Sequence, residues 1–180
     1  NLGFLVGPQF NPDGTPIEDS QLSAQTGSFV QLEYTPKISN ITQALDHEGV
    51  RIIKYTPDPQ SNAILLGGND YLIFRYADIW LMKAEALFRN GQSNALEMVN
   101  TLREKRGVPP LDNLTAEALL AERGFEFYWE GHRRQDLIRF DQFTAGTWAF
   151  KNVSDSHRKV FPIPQTILNI NENLVQNPGY

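Results

Sequence analysis

Apolar and polar positions change their rhythm near residue 70. From Ile73 onward, Ile73, Tyr76, Ala77, Trp80, Ala84, Leu87 and Phe88 recur at helical spacing, so one stripe of an amphipathic helix is expected to face a core. Arg75, Asp78, Glu85 and Arg89 fall on the other side, spaced for i, i+3 and i, i+4 ion pairs. Asn69 or Asp70 can cap this helix, and Gly91 ends it. A second helix is expected from about Ser93 to Lys105, with Ala95, Met98, Val99, Leu102 and Arg106 on its inner face. Gly107 and the pair Pro109-Pro110 stop it. The link between the two is so short that they must run antiparallel. A third helix is expected from about Thr115 to Glu130, and after Gly131 a shorter fourth from about His132 to Phe143.

Residues 1–69 read differently. Proline and glycine interrupt every potential long helix, and only Phe29–Tyr34 and Val50–Tyr55 have the alternation of short strands. Residues 144–180 are irregular again, with Phe161-Pro-Ile-Pro164 extended and Ile167, Leu168 and Ile170 forming about one helical turn. The expected fold is mostly α. Two tetratricopeptide-like helical hairpins over 70–143 carry a loop-rich subdomain with short β-strands (1–69), and 144–180 packs on the helices. All three read as parts of one domain.

The densest chemistry lies in Ala121-Glu-Arg-Gly-Phe-Glu-Phe-Tyr-Trp-Glu-Gly131 and the basic run after it. Glu122, Arg123, Glu126 and Glu130 share one narrow stripe of the third helix. Phe125, Phe127, Tyr128 and Trp129 cover the rest, which implies an enclosed helix. Three glutamates in a row repel one another unless cations intervene. Arg123, Arg133, Arg134 and Arg139 are near enough in the chain to supply them, and Glu122, Arg123, Glu126, Glu130, Arg133, Asp136 and Arg139 are read as one structural ion network. A glycosidase needs two carboxylates about 5–9.5 Å apart. Helical spacing supplies that, but neighbouring guanidiniums would depress both acids and remove the proton donor. No catalytic residue is assigned.

Composition narrows the remaining chemistry. The chain has 180 residues, 41% hydrophobic and 21% charged, as in globular domains. A net charge of −5 without a basic aromatic patch argues against nucleic acid. Zero cysteines exclude disulfides, thiol catalysis and Cys-based metal sites. His47, His132 and His157 lack ligand spacing, and each is expected to be structural or solvated. Asn11-Pro-Asp13 and Asn69-Asp70 offer oxygen ligands for calcium, but Asn and Asp in Gly/Pro loops serve first as turn formers. No metal and no cofactor are assigned. Aromatic side chains on loops are the candidate ligand platforms: Tyr34, Tyr55, Trp148 and Phe150, with Phe10 beside them and Trp148 leading, since its neighbours are small and no periodic pattern buries it. Tyr76, Trp80, Phe125 and Trp129 are expected to pack in the core.

Several blocks together resemble the C-terminal part of the SusD/RagB family of nutrient-binding outer-membrane lipoproteins of Bacteroidetes. They are Arg75-Tyr-Ala-Asp-Ile-Trp-Leu-Met-Lys-Ala-Glu-Ala-Leu87, Val99-Asn-Thr-Leu-Arg-Glu-Lys-Arg-Gly-Val108, Glu122 to Arg139, Phe161-Pro-Ile-Pro-Gln165 and Gln176-Asn-Pro-Gly-Tyr180. The resemblance implies tetratricopeptide-like hairpins and a non-catalytic role: capture of glycans or other oligomeric nutrients at the cell surface. It further implies delivery to a SusC-like TonB-dependent transporter, and attachment to the outer membrane by a lipid anchor absent from this sequence. The opening residues Asn1-Leu-Gly-Phe read as the interior of a longer polypeptide, so the isolated piece is expected to self-associate through uncovered apolar faces. The alternatives are a tetratricopeptide-like scaffold for peptides or proteins and a glycoside hydrolase using the glutamate row.

Overall fold

The structure is a computed structural model, and it describes residues 3–55, 58, 68 and 70–180. The proposed cap at Asn69 lies outside them. Two compact units divide the chain, Asn1–Tyr71 and Leu72–Tyr180.

The first unit holds two short antiparallel ladders. β1 (Phe4–Leu5) pairs with β4 (Arg51–Ile52), and β2 (Gly7–Pro8) pairs with β3 (Glu33–Tyr34). The run expected as one strand, Phe29–Tyr34, is mostly outside β3 because its backbone partners change along its length. Val30 O accepts from Asp19 N, while Leu32 bonds Ile17 O through its N–H and Gln9 N through its carbonyl. Between β2 and β3 in the chain lies a helix that periodicity misses, α1 (Ser20–Thr26), polar almost throughout. Its signal is in its ends. Asp19 Oδ1 accepts from Leu22 N at 2.9 Å, and Gly27 closes the helix at φ 70°.

The second unit is helical. α2 (Tyr76–Arg89) and α3 (Asn94–Lys105) form a hairpin, followed by α4 (Ala116–Phe127), α5 (Arg133–Arg139), α6 (Gln142–Ala145), a 3₁₀ turn at Ser156–Lys159 and α7 (Gln165–Ile170). Ala77, Leu81 and Ala84 of α2, Val99 of α3, and Leu119 and Phe127 of α4 make the buried core. Asn100 fixes the link after α3, bonding Leu111 through both its side-chain oxygen (2.8 Å) and nitrogen (3.0 Å). The Thr115 hydroxyl caps α4 by accepting from Ala118 N. The expected mostly α architecture is the one present.

Three expectations about these helices need correction. α2 starts at Tyr76 rather than near Asp70, and Ile73 precedes it. Arg75 is extended there (φ −138°) and stands outside the helix as its N-cap. Second, α2 is rotated from the orientation its apolar stripe suggests. Asp78 and Glu85 are buried beside Ala77, Leu81 and Ala84, whereas Tyr76 is 76% exposed. The buried Arg123 guanidinium on α4 binds Asp78, and the partly exposed Arg139 on α5 binds Glu85. Third, α4 ends at Phe127, and Phe125 (70% exposed) and Trp129 (68%) do not pack in the core. The fourth helix is likewise split, because Asp141 adopts φ 57° between α5 and α6.

Leu81 is fully enclosed in this core. Leu81→Ala should cost about 2–5 kcal/mol, read as a lower denaturant midpoint with an unchanged m-value.

Candidate functional site

The acidic stripe of α4 is met at every position by a guanidinium, though not by the ones nearest in sequence. Glu122 accepts from Arg103 Nη1, on α3. Glu126 is shared between Arg106, at 2.7 and 3.0 Å, and Arg75. Glu130 accepts from Arg75 Nε at 2.8 Å and Nη2 at 3.0 Å. A turn makes the last contact possible. Glu130 N bonds back to Phe127 O, with Trp129 at φ 66°, so the chain folds over at the end of α4 and the Glu130 side chain turns inward.

Arg123 serves aspartates instead. Its Nε donates to Asp136 Oδ1 of α5 at 2.7 Å and its Nη2 to Asp78 Oδ1 of α2 at 2.9 Å, all three residues being buried. Arg139 continues the series, reaching Asp136 at 2.8 Å and both oxygens of Glu85 at 2.8 and 2.9 Å. Arg89 closes it on Glu85 at 2.8 Å, the i, i+4 pair that the spacing suggests. The other two arginines named from sequence bond backbone. Arg133 donates to Leu120 O at 2.7 Å and meets no carboxylate among the described pairs, so its place in a carboxylate network is corrected. Arg134 donates to the carbonyls of Arg158 and Lys159 and stacks on Phe143 and Phe161.

Sequence reasoning misses Arg75, Arg103 and Arg106 as partners of the glutamates and puts Asp78 and Glu85 at the surface. The one sequence signal is charge at i, i+3 at the end of α3, Arg103 and its C-cap Arg106, facing charge at i, i+4 on α4. Flat aromatic rings complete the packing of these flat cations. The Phe127 ring lies 4.6 Å from the Arg75 guanidinium carbon and 4.9 Å from that of Arg123.

Burial alone would raise the Glu126 carboxyl, but hydrogen bonds from Arg106 and Arg75 outweigh it. Glu85 is likewise pushed up by burial and pulled further down by Arg139 and Arg89. Both end below the ordinary carboxylate value of 4.5. Such groups favour the ionised form, which suits an electrostatic strut and disables a general acid.

The aromatic candidates are more varied. Tyr34, in β3, has the Arg51 guanidinium 4.6 Å from its ring centroid, so one of its faces is taken. Tyr55 is exposed, also in the first unit. Trp148 and Phe150 lie in the second unit on a tight turn, closed by reciprocal backbone bonds between Trp148 and Lys151. Lys151 Nζ sits 4.9 Å from the Trp148 ring and donates to the carbonyls of Gly146 and Asn152. Phe150 holds φ 64° with its ring exposed, a conformation costing an ordinary residue roughly 1–3 kcal/mol. A groove of about 490 Å³ runs between α2 and α3, lined by Arg75, Tyr76, Trp80, Leu102, Lys105 and Arg106.

Each histidine has a packing partner. His47 pairs with Asp19 at 3.0 Å, His132 packs against Phe127, and His157 meets the Tyr180 ring edge-on. Among the described residues no three His, Asp or Glu side chains are grouped to hold a metal. Asp13 forms a turn, accepting from the Thr15 backbone and hydroxyl, and Asn69 lies outside the described residues. No helix among the described residues is long and apolar enough to cross a membrane.

Residues 19–159 match the SusD family. The chain belongs to that family. It is similar to the starch-binding protein SusD of Bacteroides thetaiotaomicron, 36% identical over 148 residues, which are 74% of this chain and 26% of the relative. The chain therefore spans about a quarter of that protein's length. A SusD superfamily protein from Parabacteroides distasonis superposes with a TM-score of 0.58 at 23% identity, over 82% of this chain and 35% of the other. Surface glycan-binding protein A from Bacteroides thetaiotaomicron, in complex with laminarihexaose, superposes with a TM-score of 0.57 at 22% identity, over 96% and 45%. The mostly helical fold of this SusD-family chain is thus shared with proteins of low sequence identity.

Glu85 and Glu126 release protons more readily in the folded SusD-family chain than in the unfolded one. Their contribution to stability is therefore full above about pH 4.5 and is lost as pH falls through the lowered folded values. Melting followed from pH 7 to pH 3 should show a level Tm that drops at the acid end. Glu126→Gln should lower the neutral-pH Tm by roughly 5 °C, since it leaves Arg106 without its carboxylate and Arg75 with Glu130 alone.

Proposed function

We propose that the chain is part of a non-catalytic surface receptor that captures extracellular glycan, or another oligomeric nutrient, and passes it to a SusC-like TonB-dependent transporter. The full-length protein would sit on the extracellular side of the outer membrane, held by a lipid anchor, and would use no cofactor. The observation that carries this reading is the state of the carboxylates. Glu122, Glu126 and Glu130 are each bound by arginine, and the Glu126 carboxyl is held below its ordinary value, so the glutamate row is arranged as an ion network and not as an acid–base pair. A relative that is a starch-binding protein and a fold neighbour seen with laminarihexaose support glycan as the ligand class.

Sugar recognition requires aromatic rings that stack on pyranose faces with polar groups at their rims. Trp148 and Phe150 meet the first need best: their turn projects them, and Lys151 and Asn152 adjoin them. Tyr34 and Tyr55 are the candidates of the first unit.

The α2–α3 groove favours a second reading, a scaffold that binds a peptide or protein. It carries Tyr76 and Trp80 with ring centroids 5.9 Å apart and cations at its rim.

Calorimetry of the full-length protein against starch and laminarin oligosaccharides tests the choice. Trp148→Ala should weaken binding about tenfold or more, the effect of losing one stacked ring, with Tm unchanged and no products released from the sugar. Binding that ignores Trp148→Ala but is lost in Tyr76→Ala would favour the groove. Oligosaccharide cleavage abolished by Glu126→Gln in a stable protein would overturn the receptor reading.

A further inference from the structure

The turn that carries Trp148 and Phe150 is held closed by one side chain. Trp148 and Lys151 are its first and last residues and exchange backbone hydrogen bonds at 2.9 and 3.1 Å. Residues paired in this way across an antiparallel ladder send their side chains to the same face. Lys151 accordingly lies against its partner, with Nζ 4.9 Å from the centroid of the Trp148 ring. The same ammonium donates to Gly146 O and Asn152 O, each at 2.8 Å, and more weakly to Thr144 O at 3.5 Å. Gly146 precedes the turn and Asn152 follows it, so one cation ties its two arms together. Thr144 O also accepts from Ser154 N at 2.9 Å, which closes the base of the loop.

An ammonium has three hydrogens, and these three carbonyls take all of them. Lys151 therefore keeps none for a ligand hydroxyl, although it stands beside the ring that is the candidate sugar platform. What it does is restrict that ring. A cation is attracted to the negative face of an indole, and there it closes that face to a ligand. Gly146 bounds the rim of the same ring. A Cβ at this position would lie 3.2 Å from Trp148 Cζ3 and 2.6 Å from Gln142 O, so only glycine fits. Trp148 is nevertheless 50% exposed. Its ring is held on one side and open on the other, and a ring already held loses less freedom when a ligand stacks on it.

We propose that Lys151 is a positioning residue for glycan recognition. Its three carbonyl bonds fix the turn, and its ammonium backs one face of Trp148, which leaves the opposite face as the stacking surface. This role rests on the receptor reading, in which Trp148 stacks on sugar, whereas the hold of Lys151 on the ring exists without ligand.

Lys151→Met keeps the apolar stem and removes the ammonium. In ligand-free full-length protein, acrylamide quenching of Trp148 should rise and its fluorescence anisotropy should fall, each isolated as the difference from matched Trp148→Phe proteins. Calorimetry with starch or laminarin oligosaccharides should show binding weakened about three- to tenfold, the effect of having to order one side chain. In a Trp148→Ala background the same substitution should change affinity by less than about twofold, because Lys151 acts through the ring. Unchanged quenching and anisotropy in folded Lys151→Met would show that the ring is held without Lys151, and would overturn the proposal. Weakening that persists in full without Trp148 would mean that Lys151 touches the ligand itself, which overturns it as well. Lys151→Gln serves the same comparison if the methionine variant does not fold. Wild-type protein that binds no sugar, or binds it regardless of Trp148→Ala, would defeat the receptor reading of this turn, and the quenching result would still decide whether Lys151 holds the ring.

Discussion

The second unit depends on a neutral series of charges, Arg89, Glu85, Arg139, Asp136, Arg123 and Asp78, each bonded to the next, with Arg123 and the three carboxylates buried and Arg89 and Arg139 reaching solvent. It runs from α2 through α5 and α4 back to α2. Removing so many charges from water is expensive, and apolar residues of the same size could stabilise the fold as well or better. What the series adds is discrimination. A helix rotated or shifted by one residue would leave an uncompensated charge in the interior, whereas a purely apolar interface would tolerate the slip. A second cluster, Arg75 with Glu126 and Glu130, adjoins the series through Phe127, whose ring lies against both Arg75 and Arg123.

Such a frame assigns the chemistry of the helices to structure. Arginines bind the carboxylates and hold Glu85 and Glu126 below the ordinary carboxylate value, and phenylalanine rings pack beside the arginines. Under the proposed function, recognition would fall to side chains outside this frame, and within the second unit the turn bearing Trp148 and Phe150 is the candidate. Strain at Phe150 fits that division, since an exposed ring held at positive φ contributes nothing to the core.

The sequence made the number and order of the long helices plain, because Ala77, Ala84, Ala95, Val99 and Leu119 keep the helical period. It also marked residues 122–139 as the densest charge in the chain. It misassigned faces for one reason. Periodicity ranks Asp78 and Glu85 as polar and Tyr76 and Phe125 as apolar, so it turns the former outward and the latter inward. A buried guanidinium reverses that ranking, and the guanidiniums come from helices distant in sequence: Arg75 and Glu130 are partners across the whole hairpin. Arg133 and Arg134 are close in sequence to the glutamates yet bond carbonyls. For α1, polar almost throughout, only the capping residues Asp19 and Gly27 carried information. The aromatic candidates were legible as loop residues, but the Arg51 contact that covers one face of Tyr34 was not.

If these charges act as one connected unit, the Arg123 and Asp136 substitutions must be strongly coupled. A double-mutant cycle of Arg123→Met and Asp136→Asn, read by equilibrium unfolding at neutral pH, measures this. A coupling energy of about 1–3 kcal/mol is expected. Additivity within about 0.5 kcal/mol would mean that apolar packing alone holds the helices, and that the charge series does not fix their register.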